Sequence, residues 1–297
     1  MSVKRKVGLI HLTPVVLTLI FSTVFALLYS GSTLLSEEIA PFLREDTLEA
    51  SIYNAFIFFL LTALGTIVLL LLSLKRKLSL LRMFFIVTVT VVLFSFYQIL
   101  LLVVFEKAYG PETLPDDFIF LFIPLLLTLF SSYIIFYSQN EILVMVLTIL
   151  YGSGLGTLLG AMLPLWSIIA IGLVMSIYDL YSVFRGPLKK IIDVVAGTPR
   201  EGEEGERKDQ VMVLRGVAVP FRGLNIGLGD LVFYSMFNTV TFMSEKYTPL
   251  ATLMVQAAII LGSFLTLRGL EKYKAMPALP LPILFSTMVI ILWMLIP

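Results

Sequence analysis

The chain of 297 residues is 59% hydrophobic and only 14% charged, with a mean hydropathy of +0.99, and a soluble globule of this size could not cover so much apolar surface. A net charge of +1 offers no basic field for nucleic acid. With no Cys and a single His, His11, the chain lacks the ligand sets of structural zinc sites, Cys nucleophiles and HExxH metalloproteases; it reads as an all-α polytopic membrane protein needing no metal and no cofactor.

A hydrocarbon core about 30 Å thick takes about 20 helical residues. In chain order, apolar segments of that size fall near 7–29, 50–73, 81–105, 117–138, 142–163, 165–185, 222–242, 249–268 and 278–296, nine in all. The first has no small-residue cleavage site and reads as a span, not a signal peptide. His11, near its start, reads as a capping or interfacial residue. The short interruptions "SQNE" and "LPLW" divide the fourth span from the fifth and the fifth from the sixth. Gly152, Gly156 and Gly160 form a GxxxGxxxG run, a helix-packing face. Asn225, Asn238 and Gln256 read as interhelical hydrogen-bonders.

Placing the N-terminus in the cytoplasm puts 18 of the 21 basic residues on that side and leaves Arg44, Lys107 and Lys246 outside. The positive-inside rule therefore favours nine spans with the N-terminus in and the C-terminus out. Three units follow: residues 1–185 with spans one to six, a cytoplasmic loop over 186–221, and residues 222–297 with spans seven to nine. Within the loop, "GTPREGEEGERKDQ" reads as a solvated tether. "PLKKIIDVVA" reads as a surface amphipathic helix, and the β-branched stretch Val213 to Val219 as a strand.

The 20 acids sort by the same topology into ten outside, eight cytoplasmic and two inside spans, Asp179 in "SIYDLYS" and Asp230 in "GLGD". No Lys or Arg shares their depth. A lone charge at mid-membrane costs about 2.5–3.5 kcal/mol or more, so an intramembrane acid is a functional signal by default. Asp179 lies six residues before Arg185 and Asp230 eight after Arg222, about 9–12 Å below the cytoplasmic helix ends. Antiparallel neighbours would bring the two face to face. Facing carboxyls can share one proton, the ionised one activating water while the neutral one polarises and then protonates a scissile amide.

Three motifs in three separate spans carry a resemblance: "YD" at Tyr178–Asp179, "GLGD" at Gly227, Leu228, Gly229 and Asp230, and "PAL" at Pro277, Ala278 and Leu279. Together with the nine spans and the long loop after the sixth, this resembles the presenilin and signal peptide peptidase family of GxGD intramembrane aspartyl proteases, in a compact form similar to a prokaryotic, archaeal presenilin homologue. The resemblance implies a presenilin-like fold and Asp179 and Asp230 as the catalytic pair, with Tyr178, Gly227, Leu228, Gly229, Pro277, Ala278 and Leu279 shaping the site. It further implies transmembrane helical proteins as substrates, unwound to pair as a strand beside the segment before GLGD, and raises self-cleavage in the six-to-seven loop. Gly227 and Gly229 would give a substrate backbone clearance. Pro277, Pro280 and Pro282 would break the ninth span where it meets a water-filled cavity.

The implied setting is the cell membrane, with the site toward the cytoplasm. The lipid bilayer is the one further partner the sequence specifies; it shows no accessory subunit and is compatible with a homo-oligomer. Two intramembrane carboxyls could alternatively serve a proton- or cation-coupled transporter or channel, which would often carry an inverted repeat. No internal duplication is evident.

Overall fold

A computed structural model describes residues 8–34, 41–74, 78–110, 115–185, 215–222, 224–271 and 276–295. Among the described residues there are nine α-helices and one two-stranded ribbon. The helices are α1 (Thr13–Tyr29), α2 (Leu48–Leu74), α3 (Leu78–Tyr109), α4 (Asp117–Tyr137), α5 (Glu141–Met162), α6 (Leu165–Phe184), α7 (Leu228–Met243), α8 (Pro249–Gly269) and α9 (Pro280–Met294). The ribbon, β1 (Ala218–Phe221) against β2 (Leu224–Gly227), is antiparallel and lies immediately before α7. Seven helices are long and apolar enough to cross a membrane, whereas α7 has 16 residues and α9 has 15.

Local chemistry sets the helix ends where the apolar pattern alone is nearly continuous. The break inside "SQNE" is a cap: the Asn140 side chain accepts from the amides of Ile142 and Leu143 at 3.1 and 3.3 Å, satisfying donors the first turn of α5 leaves free. Pro164 holds the extended residue between α5 and α6. The Thr248 side chain caps α8, with Pro249 at its first position. His11 accepts from the Gly8 amide at 3.1 Å at the entrance to α1, the capping role expected of it.

α5 lies at the centre, packed on α1, α7 and β1, while α2 pairs with α6, α3 with α4, and α8 with α9. The glycine run makes the α5–α7 contact. A Cβ on Gly152 would stand 2.3 Å from Leu228 Cδ1, one on Gly156 2.3 Å from the Val232 carbonyl oxygen, and one on Gly160 2.8 Å from that of Met236. Only glycine lets the two backbones approach so closely. A polar network fixes the opposite side of α7. Asn238 donates to Ser22 and Thr23 at 2.6 and 3.1 Å, and Gln256 donates to Asn238 and Thr23 at 2.8 and 3.1 Å. α7 is thereby held to α1 and α8, as interhelical amides in lipid should hold it.

The structure departs from the sequence reading in three places. Span seven begins at Leu228, because residues 224–227 belong to the ribbon. The strand is Ala218–Phe221 in place of Val213 to Val219: Gly216 turns with φ +84, and residues 213 and 214 lie outside the described residues. Asn225 is exposed on β2 opposite Pro220 and bonds no helix. The tether and surface-helix readings within 186–214, and any self-cleavage there, also lie outside the described residues.

Candidate active site

Asp230 owes its place to the ribbon-to-helix junction. The chain leaves β2 at Gly227, which is the N-cap of α7 with extended φ and ψ of −62 and 135, and Asp230 falls in the first helical turn. Its carboxyl turns back toward Gly227, the direction an acid at this position takes in a capping box. A Cβ on Gly227 would lie 2.8 Å from Asp230 Oδ2, so this glycine leaves room for the carboxyl. A Cβ on Gly229 would meet nothing within 4 Å. That side of the helix start is open.

Asp179 projects from the last part of α6 toward the start of α9. The broken backbone there provides its partner. Pro277 is buried and Pro280 begins α9, whose first helical bond runs from the Ile283 amide to the Leu279 carbonyl at 3.1 Å, so the Leu279 amide stays outside the helix. The Leu279 amide donates to Asp179 Oδ2 at 3.1 Å. The PAL segment thus supplies a backbone donor to one of the two acids.

Both acids line one cavity of about 390 Å³. Its walls come from α2 (Phe58, Thr62, Thr66), α6 (Met175, Tyr178), α7 (Gly229, Val232) and Leu279. The two acids that the sequence puts at similar depth thus face one shared space. Among the described residues no three His, Cys, Asp or Glu side chains converge as a metal site would need.

The site-shaping residues divide. Tyr178, Gly229 and Leu279 line the cavity; Tyr178 also donates to Thr66 at 2.8 Å and packs edge-on against Phe59, joining α6 to α2. Gly227, Pro277 and Ala278 act behind it through the backbone. Leu228 does not reach the cavity: its side chain fills the space over Gly152, and its amide donates to the Val217 carbonyl at 2.9 Å. It locks the ribbon to α5. Two residues missing from the sequence reading belong here. Thr66 bonds Tyr178, and Tyr234 donates to the Ala278 carbonyl at 2.9 Å. Tyr234 stands four residues after Asp230, one helical turn on, and that spacing was the available signal.

The chain is similar to known proteins in sequence and in fold. The presenilin family model matches residues 195–296. Presenilin-B of Dictyostelium discoideum is 32% identical over 124 residues, which are 41% of this chain and 24% of that protein, so the chain spans about a quarter of this relative's length. A presenilin family intramembrane aspartate protease, solved in two crystal forms, has a similar structure. In the C222 form the TM-score is 0.62 at 18% identity, over 98% of this chain and 100% of the other; in the P2 form it is 0.59 at 18%, over 95% and 96%. This multi-pass membrane protein has the presenilin fold over nearly its whole length, and its last third has the presenilin sequence pattern.

Proposed function

We propose that this presenilin-fold chain is an intramembrane aspartyl endopeptidase, with Asp179 and Asp230 as its catalytic pair. The observation that carries the reading is that the only two acids left inside spans by the sequence line one cavity among apolar helices. With one proton between them, the ionised carboxyl takes a proton from a water in the cavity as that water attacks the scissile carbonyl. The neutral carboxyl donates to the developing oxyanion. The carboxyl that took the water's proton then passes it to the leaving nitrogen as the C–N bond breaks, and the other recovers its proton from the gem-diol, which restores the singly protonated pair. The dyad titrates as a unit, so its apparent pKa values belong to the pair and not to either Asp.

A transmembrane helix hides its amides and must be opened first. β2 ends at the GLGD junction, and β1 is packed on α5. Among the described residues no further strand pairs with the ribbon, and an unwound substrate adds to its free edge as a third strand. Gly229 leaves its backbone room beside Asp230. The substrates are transmembrane helical proteins in the lipid bilayer, cut toward the cytoplasmic side of the cell membrane, as the Lys and Arg distribution orients the chain.

The test is cleavage of a single-span protein by purified protein in lipid. The parent chain cuts it, and Asp179→Asn and Asp230→Asn each abolish cutting while melting like the parent. A parent that leaves several such substrates intact, or either variant cutting at the parental rate, would overturn the reading.

A further inference from the structure

Tyr234 is 2% exposed, so its hydroxyl needs a partner inside the protein. The partner follows from the prolines. A helix would satisfy the Ala278 carbonyl with the amide of residue 282, but that residue is Pro282 and has no N–H. The Tyr234 hydroxyl takes the vacant place at 2.9 Å. The nitrogen of this same peptide unit belongs to Leu279, whose N–H donates to Asp179 Oδ2 at 3.1 Å. One peptide group therefore accepts from α7 on its oxygen side and donates to Asp179 on its nitrogen side. A hydrogen bond received at a carbonyl polarises the peptide and strengthens its N–H as a donor.

We propose that Tyr234 is a positioning residue for the reaction, acting through the Ala278–Leu279 peptide to fix and strengthen the donor that holds Asp179. α7 then carries one carboxyl directly and governs the setting of the other from one turn further along. The placement of the two acids becomes a property of one helix and one peptide group, and the prolines are what leave that carbonyl available. The catalytic part of this proposal rests on the aspartyl-protease reading; the hydrogen-bond relay does not.

Two measurements on the full chain in lipid test it. Tyr234→Phe keeps the ring and removes the hydroxyl. Its kcat falls about tenfold, the size of one hydrogen bond lost in the transition state, while KM changes less than twofold. Tyr97→Phe loses a buried hydroxyl bonded to Ser131 at 2.7 Å between α3 and α4, and it cuts like the parent. The second measurement does not depend on activity. The sequence has three Ala–Leu pairs, at 26–27, 63–64 and 278–279, so ¹³C-carbonyl alanine with ¹⁵N-leucine labels three amides, and Leu279→Ile assigns the third. In Tyr234→Phe the Leu279 amide resonance moves and the other two stay. An unmoved Leu279 resonance overturns the relay whatever the activity, and a parental kcat in Tyr234→Phe overturns its role in the reaction. If the parent itself does not cut, the protease reading and the catalytic part fail together; a moved Leu279 resonance then still upholds the relay.

Discussion

Gly227 and Gly229 flank the same turn yet are glycine for different reasons. Beside Gly227 the space belongs to Asp230, whose Oδ2 a Cβ would approach to 2.8 Å, whereas beside Gly229 a Cβ meets nothing. Gly229→Ala should therefore melt no lower than the parent, with a gain of up to about 1 kcal/mol from helix propensity. Its kcat/KM should fall about tenfold because the methyl intrudes on substrate space. Thermal unfolding and cleavage kinetics on one preparation separate the two effects. Gly227→Ala should displace the Asp230 carboxyl and lower kcat with an intact fold. The dyad also sets the pH response: at low pH both carboxyls are protonated and no base remains, and at high pH both are ionised and no acid remains. The rate should pass through a maximum, and a profile flat from acidic to alkaline pH would contradict a shared proton.

At the scale of elements, the site depends on how α5 holds α7. Gly156→Val must push against the Val232 carbonyl; we expect a loss of about 1–3 kcal/mol in stability, the usual cost of overpacking, together with loss of cleavage. Gly65→Ala in α2, where a Cβ meets nothing, should be neutral or stabilising by up to about 1 kcal/mol. Comparing the two melts checks the packing account. Eight of the nine spans and the glycine face were legible because apolar length and small-residue spacing act locally. The start of α7 was not. Residues 222–227 run directly into the apolar segment of α7, and with Leu224 and Ile226 as their only large apolar residues the stretch is too short to distinguish strand from helix. What decides is the turn at Arg222, with φ 48, and the pairing of Val219 with Ile226, which only the folded ribbon supplies. The acids were legible by subtraction, since charge at that depth has few explanations. Tyr234 was not, because a buried tyrosine in an apolar helix looks like packing until its acceptor, 44 residues away, is in place.

For the whole molecule, the absence of cysteine in the sequence gives a clean background for mapping sidedness. Glu245→Cys, exposed between α7 and α8, should react with a membrane-impermeant maleimide in intact cells. Arg185→Cys, exposed at the end of α6, should react only after permeabilisation. The reverse pattern would invert the proposed topology. The two shortest helices, α7 with 16 residues and α9 with 15, are also those that begin at the site. At 1.5 Å per residue they measure about 24 and 22 Å, against a hydrocarbon thickness of about 30 Å. Where α9 faces lipid the bilayer thins beside it, and where a short helix is buried among its neighbours, as α7 is, water descends to its end. On the proposed reading, this mismatch would bring the aqueous phase toward the aspartates and make cleavage sensitive to the lipid. Cleavage should run faster in bilayers of short-chain phospholipids than in long-chain ones, because a thinner membrane already meets the ends of the two helices.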